Sequence, residues 1–229
     1  RDFLDRYILK HMKNLKYIVV SLDIDFWYKV DGPDGDNFFY TDFLNYPGYI
    51  YDANHDYWSD GYPEGLLEYT ENAVGSSDDS YYMKERGRYT SVICHSWRDE
   101  PEIEQDSSYL DEHWNLVEDS KAALVSIIQE SAKRNIRVVG VVFPQSPAYA
   151  KTGSFGRYGL RRSSAKKLLN ELDALSKEYP NFKLMDENKM GKHDYTNQMA
   201  VDEDHLCYEG SVLLTSRLNE LLLSWEKKK

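Results

Sequence analysis

The residues best spaced to do chemistry stand near the C-terminus. They read Ala200-Val201-Asp202-Glu203-Asp204-His205-Leu206, with Gly210 and an apolar stretch from Ser211 to Trp225 behind them. A carboxylate three residues before a histidine, in a loop just ahead of a helix, can supply two members of a hydrolytic triad. Asp202 would fix the imidazole tautomer, and His205 would act as general base and then general acid. The spacing is common by itself, so its weight comes from its place after a strand and a loop. The plainer alternative is an acidic loop in which Glu203 or Asp204 faces the amides of the helix N-terminus.

A second group is Asp23, Asp25 and Trp27, at the end of an apolar run. Carboxylates two apart on a strand share a face, so Asp23 and Asp25 would point together and could hold a substrate hydroxyl or a metal. Solvated acids at a strand end are the alternative. A third group is the loop holding Gly153, Gly156 and Gly159 with Arg157, Arg161 and Arg162. Backbone amides opening a helix, together with guanidinium groups, suit a carboxylate or phosphate, and Arg157 or Arg161 would hold an anionic part of a substrate. The glycine spacing matches neither the P-loop nor the dinucleotide fingerprint. A structural use of these glycines, with the arginines paired to nearby acids, stays open.

Other constellations are weaker. Asp52, Asn54 and Asp56 have the first spacings of a calcium loop, but Tyr57 stands where the glycine belongs and Pro63 at the twelfth position, which excludes an EF-hand. His55, His95, His113 and His193 are scattered without paired spacing, so no zinc site is expected. Ser96, in Cys-His-Ser-Trp, reads as a loop serine. Cys94 and Cys207 form no C-x-x-C motif, and either one disulfide or two buried thiols fits them.

The elements that must position these residues follow from periodicity. The chain has 229 residues, 41% hydrophobic and 29% charged, a size and composition suited to one α/β domain with a proper core. Its net charge of −11 argues against nucleic acid as a partner, since phosphate binding needs basic surface. No apolar run approaches the ~18 residues of a membrane span, and no signal peptide is apparent. The first residue is Arg1, which suggests a processed chain or a piece of a longer one.

Helical spacing is expected over residues 1–15. A β-branched run, Lys16 to Leu22, reads as a strand buried on both faces. Residues 31–108 form an irregular insertion rich in Gly, Asp and aromatics, and twelve of the nineteen tyrosines fall between Tyr28 and Tyr109. Aromatic faces rimmed by Asp and Asn suit sugar rings, or else they make a small core for the insertion itself. A helix from Asp111 to Arg134, a strand from Ile136 to Phe143 and a helix from Arg161 to Lys177 come next. A strand from Phe182 to Met185, a polar loop and the terminal helix complete the order. Strands alternating with helices imply a mainly parallel sheet. Ligands then bind beyond the strand C-termini, where the loops Asp23–Asp31, Pro144–Arg162 and Asp186–His205 would meet.

On these residues the chain resembles the later two thirds of an SGNH (GDSL-type) hydrolase. Ile18–Trp27 takes the place of the third strand, Val138–Pro147 that of the fourth, and Asp202/His205 stand before the terminal helix. The strings TGSFGRYGLRRS and MDENKMGKHDY are also similar to an uncharacterised paralogous family of predicted lipoproteins from Fibrobacter, which carries no assigned activity. The resemblance implies a three-layer αβα domain over residues 1–229, interrupted by the 31–108 insertion. It further implies an extracellular or cell-surface location and ester hydrolysis or acyl transfer on an acylated carbohydrate or other small ester, without a cofactor.

Two departures stand against it. No Gly-Asp-Ser occurs to supply the nucleophile, which would then lie upstream of Arg1. The third-strand block, normally Gly-x-Asn-Asp, here reads Ser21-Leu22-Asp23-Ile24-Asp25-Phe26-Trp27, and an aspartate in place of an oxyanion donor would repel the developing charge. The alternative function is therefore a non-catalytic module that binds carbohydrate or protein. A plain structural domain of a larger cell-surface protein is a third reading, and the oligomeric state stays open.

Overall fold

The computed structural model describes residues 4, 8–9, 12–24, 27–28, 93–97, 113–157 and 159–227. The backbone groups into two compact units, Arg1–Leu15 with Lys29–Thr90, and Lys16–Tyr28 with Ser91–Lys229. In the first, Leu4 and Leu9 are buried, and the Met12 amide donates to the Ile8 carbonyl at 2.8 Å, a helical i to i−4 bond. Asp52, Asn54 and Asp56, with His55, Asp25 and nearly all of the tyrosine-rich insertion, lie outside the described residues.

Among its described residues the second unit carries a parallel three-stranded sheet in the order β1 (Tyr17–Ser21), β2 (Arg137–Val142), β3 (Phe182–Asp186). Val19 stands opposite Val139, and Val139 opposite Lys183. The valine run of β2 is buried from Val138 to Val142, as a strand between two neighbours should be.

β1 corrects an expectation. Its run is equally β-branched, yet Val19 is 48% exposed and Ser21 is exposed. Among the described residues β1 pairs only with β2, and one of its faces is wetted.

Among the described residues three helices cover the sheet: α1 (Trp114–Lys133), α2 (Arg162–Glu178) and α3 (Tyr208–Glu226). In α2 the buried positions Ala165, Leu168, Leu169 and Leu172 recur at the i, i+3, i+4, i+7 spacing of one helix face. Pro180 follows its C-cap Tyr179, as befits a residue that cannot continue the helix. α1 buries Val117, Leu124 and Ile128 and ends just before Asn135, whose φ of 56° leaves helical geometry.

The side chains of α1 and α2 join Val138, Val142 and Phe182 in the larger core. The alternate residues Val139, Val141 and Met185 pack with Trp225, Leu218, Leu221 and Leu222 of α3. Because successive strand residues face opposite ways, these two clusters place α3 on the other face of the sheet from α1 and α2. The chain is thus a mixed α/β protein, as its sequence implies. Among the described residues no helix is long and apolar enough to cross a membrane.

Candidate functional site

Asp202 and His205 sit in a closed loop that leads into α3. The Val201 amide donates to the His205 carbonyl at 2.9 Å, and the Cys207 amide to the Met199 carbonyl at 3.0 Å. Ala200 and Leu206 form an antiparallel bridge between those two bonds. Residues 202–204 are left as the tip. There the Asp202 Oδ1 accepts the amides of Asp204, at 3.1 Å, and His205, at 2.9 Å. An aspartate that bonds the backbone two and three residues ahead fixes a turn, and only a short side chain reaches.

The same carboxylate holds the imidazole. His205 Nδ1 lies 2.9 Å from Asp202 Oδ1 and 3.1 Å from Oδ2. A second carboxylate, that of Asp204, also places Oδ1 3.1 Å from Nδ1. Ionised carboxylates only accept, so Nδ1 carries the proton and Nε2 is the ring's other functional atom. The His205 side chain is 70% exposed. The adjacent Asp204 carboxylate, assisted by Asp202 against the opposing effect of burial, lifts the imidazole pKa to about 9. Burial works against ionisation of Asp202, but the Asp204 amide and the His205 ring together hold its carboxyl below the ordinary value.

Two of the three expected loops meet here. The Ser146 amide, in the loop after β2, donates to the Glu203 carbonyl at 2.7 Å. His193 Nε2 donates to the Gln145 carbonyl at 2.6 Å, and Asn188 Nδ2 to the Phe143 carbonyl at 3.2 Å. Burial pushes the His193 imidazole below its ordinary pKa, so it serves as a neutral strut between the loops.

Arg157 reaches the same loop through an ion pair of 3.0 Å to the buried Glu203. The acidic loop therefore uses Glu203 to hold Arg157 and Asp204 to hold the ring. Cys207, not an acid, occupies the N-cap of α3, with no side-chain capping bond.

The basic glycine loop is tightly folded. Phe155 and Leu160 share a backbone bond of 2.9 Å, and Ser154 bridges to Arg161. A Cβ on Gly156 would stand 2.0 Å from Gln145 Oε1, and one on Gly159 would stand 2.6 Å from the Gly156 nitrogen. Gly159 is required by this close approach of backbone, whereas at Gly156 only the flexible end of Gln145 stands in the way. Arg162 is held by the carbonyls of Tyr149, at 3.2 Å, and Met190, at 2.9 Å. Arg161 is exposed at the N-cap of α2. Asp23 is exposed and accepts the Ser21 hydroxyl at 2.8 Å, while Trp27 packs against the larger core. The structure thus gathers Asp202, His205 and Arg157 into one loop cluster. It gives Asp23 no bond to them, and no serine hydroxyl bonds His205 among the described residues.

The cysteines form a disulfide, Cys94–Cys207, across a sequence separation of 113. It fastens residues 93–97 to the base of the His205 loop, and the His95 amide adds a bond to the Ala200 carbonyl at 2.8 Å. The Glu209 carboxylate lies against both sulfurs.

Sequence reading also missed a buried ion cluster beneath the loop. Glu187, 7% exposed, accepts from Arg217 at 2.6 Å and from the Tyr195 hydroxyl at 2.9 Å, and Arg217 also binds Asp194 at 2.5 Å. Its one sequence signal is a glutamate directly after a strand, where the chain is still turning inside the fold.

Comparison of the chain with protein-family models, with curated proteins and with solved structures returns no match.

Proposed function

We propose that this α/β unit is an SGNH-like ester hydrolase or acyltransferase acting on an acylated carbohydrate, with Asp202 and His205 as triad partners. The observation that carries the reading is the imidazole fixed through Nδ1 by Asp202, with its ring exposed in a loop just ahead of the terminal helix. The parallel order β1-β2-β3 and the helices packed on both faces support a three-layer arrangement of the SGNH kind. The disulfide supports an extracellular or cell-surface setting, since such bonds persist in oxidising compartments.

The nucleophile is a serine beyond the described residues. Its hydroxyl attacks the ester carbonyl as His205 Nε2 takes the proton. The tetrahedral intermediate then expels the alcohol, which recovers that proton from Nε2, and water releases the acyl group by the same steps. Asp202 keeps Nε2 as the accepting atom throughout. Arg157 reaches the cluster through Glu203, and Arg161, Asp23, Asp25 and Trp27 are the further substrate contacts of this reading.

One observation favours a second reading, a non-catalytic carbohydrate- or protein-binding module. With its pKa near 9, His205 is an imidazolium at neutral pH and must lose a proton before it can serve as a base. A fluorophosphonate probe, applied to this chain and to a version extended upstream of Arg1, separates the two. Labelling of one serine that disappears in His205→Ala supports the hydrolase. No labelling of either version leaves the binding module.

A further inference from the structure

We propose that the N-terminal ends of β1 and β2 form a binding site for a small carboxylate-bearing sugar of the hexuronate class. A cavity of about 340 Å³ opens there, lined by Lys16, Tyr17, Asn135, Arg137 and Glu226. Tyr17 and Arg137 are the first residues of their strands, so the cavity lies at the opposite strand ends from the loops that carry His205. The proposal does not rest on the ester-hydrolysis reading.

The polar groups of the cavity are arranged in a chain. One Arg137 Nη donates to the Tyr17 hydroxyl at 3.0 Å, and that hydroxyl donates to Glu226 Oε1 at 2.8 Å. The Arg137 guanidinium also lies 5.8 Å from the Tyr17 ring centroid and 5.2 Å from that of Trp225. Glu226 is thus engaged by a neutral hydroxyl. Among the described residues no carboxylate stands within ion-pair distance of Arg137 or Lys16.

What sets Arg137 and Lys16 apart from other described cations without an acid, such as Lys151 and Lys166, is that they line one cavity. Lys121, Arg157 and Arg217 each find an acid. Two cations without one, on the wall of one cavity, leave room for an anion brought by a ligand.

The lining specifies the ligand's chemistry. A planar guanidinium with four N–H donors beyond its bond to Tyr17 suits a carboxylate taken two oxygens at once, and the exposed Lys16 ammonium adds charge beside it. The half-buried Tyr17 ring offers an apolar face to ring C–H groups, and Glu226 and Asn135 offer acceptors for hydroxyls. The volume lies within the range of roughly 300–1,000 Å³ typical of small-molecule sites. The competing account is that Arg137 only complements the C-terminal end of α3, where cations are favoured. It explains the stacking on Trp225 but not the cavity.

The test is an NMR titration of the whole chain at low ionic strength with sodium glucuronate and, in parallel, with glucose. Saturable shifts at Tyr17 and the Arg137 side chain with glucuronate, absent with glucose, are expected. Arg137→Gln should weaken binding about tenfold or more, as loss of a charge-assisted pair implies. Lys16→Gln, at an exposed position that leaves the core untouched, should weaken it by a smaller factor. Equal shifts with both sugars, no saturable shift, or unchanged affinity in both variants would overturn the proposal and leave Arg137 as a helix-end cation.

Discussion

Cys207 stands two residues beyond His205 and is bonded through sulfur to Cys94, so the loop that orients the imidazole is covalently fastened at its base. The fastening and the orientation belong to one piece of structure: the Cys207 amide closes the loop on Met199, and the His205 carbonyl closes it on Val201. Changes to the disulfide should therefore be felt at the ring.

Reduction of the disulfide, or Cys94→Ser with Cys207→Ser, removes a loop closure of about a hundred residues. Its loss costs at most about 4–5 kcal/mol on the chain-entropy account. Urea unfolding with and without reductant should show that drop. Amide exchange across residues 200–207 should quicken more than exchange in β2. An unchanged midpoint would mean that the bond contributes nothing to the folded state.

The His205 ring should titrate near pH 9. This folded-state value lies above the unfolded one of about 6.5. The ring's contribution to stability is therefore complete below about 6.5 and lost as pH rises through 9. Under the hydrolase reading kcat/KM climbs over that upper range, because only the neutral ring accepts the serine proton. Nitrogen-detected NMR of the imidazole gives the midpoint directly. In Asp204→Asn it should fall, yet stay above the ordinary value while Asp202 remains.

Arg217→Met should destabilise the chain by about 3 kcal/mol, measured by urea unfolding at pH 7. It strips the buried Glu187 of its cation, and breaking such a pair from one side is costly. Arg217→Met combined with Glu187→Gln should recover part of the loss, since no bare charge then remains buried. If the single variant is as stable as the parent, the ion pair between Arg217 and Glu187 contributes nothing to the folded state.

Gly210 begins the buried face of α3 against the His205 loop. A Cβ there would lie 2.3 Å from the Met199 carbonyl oxygen and 2.8 Å from Leu206 Cδ2. Gly210→Ala should cost about 1–3 kcal/mol, as overpacking does, despite alanine's better helix propensity. The shift should reach His205, visible as a changed imidazole titration. A gain in stability would show that the loop yields without resistance.

Much of the α/β framework was legible because its signals are local. The valine run of β2 and the i, i+3, i+4, i+7 spacing in α2 each name their element and its buried face. The wetted face of β1 was not legible, since Tyr17–Ser21 is as β-branched as β2 and an apolar run does not say whether both faces of a strand are covered. For the site, Asp202 and His205 were readable from three-residue spacing. The closure of Asp204 onto the same nitrogen was not, because it depends on the loop folding back through Val201 and His205. The pairing of Cys94 with Cys207, and of Glu187 with Arg217, joins residues 113 and 30 apart, a distance at which no pattern in the chain operates.

The bond between Cys94 and Cys207 also decides how the molecule bears a pull. Force applied at the two ends would pass from residue 94 to residue 207 through sulfur and bypass everything between. α1, β2, α2 and β3 all lie inside that ring, whereas β1 and α3 lie outside it. At ~3.5 Å per residue, the 113-residue separation would hold back roughly 400 Å of extension until a reductant arrived. Under tension β1 and α3 would be stripped away first, while the two inner strands stayed paired in a closed circuit that no load crosses.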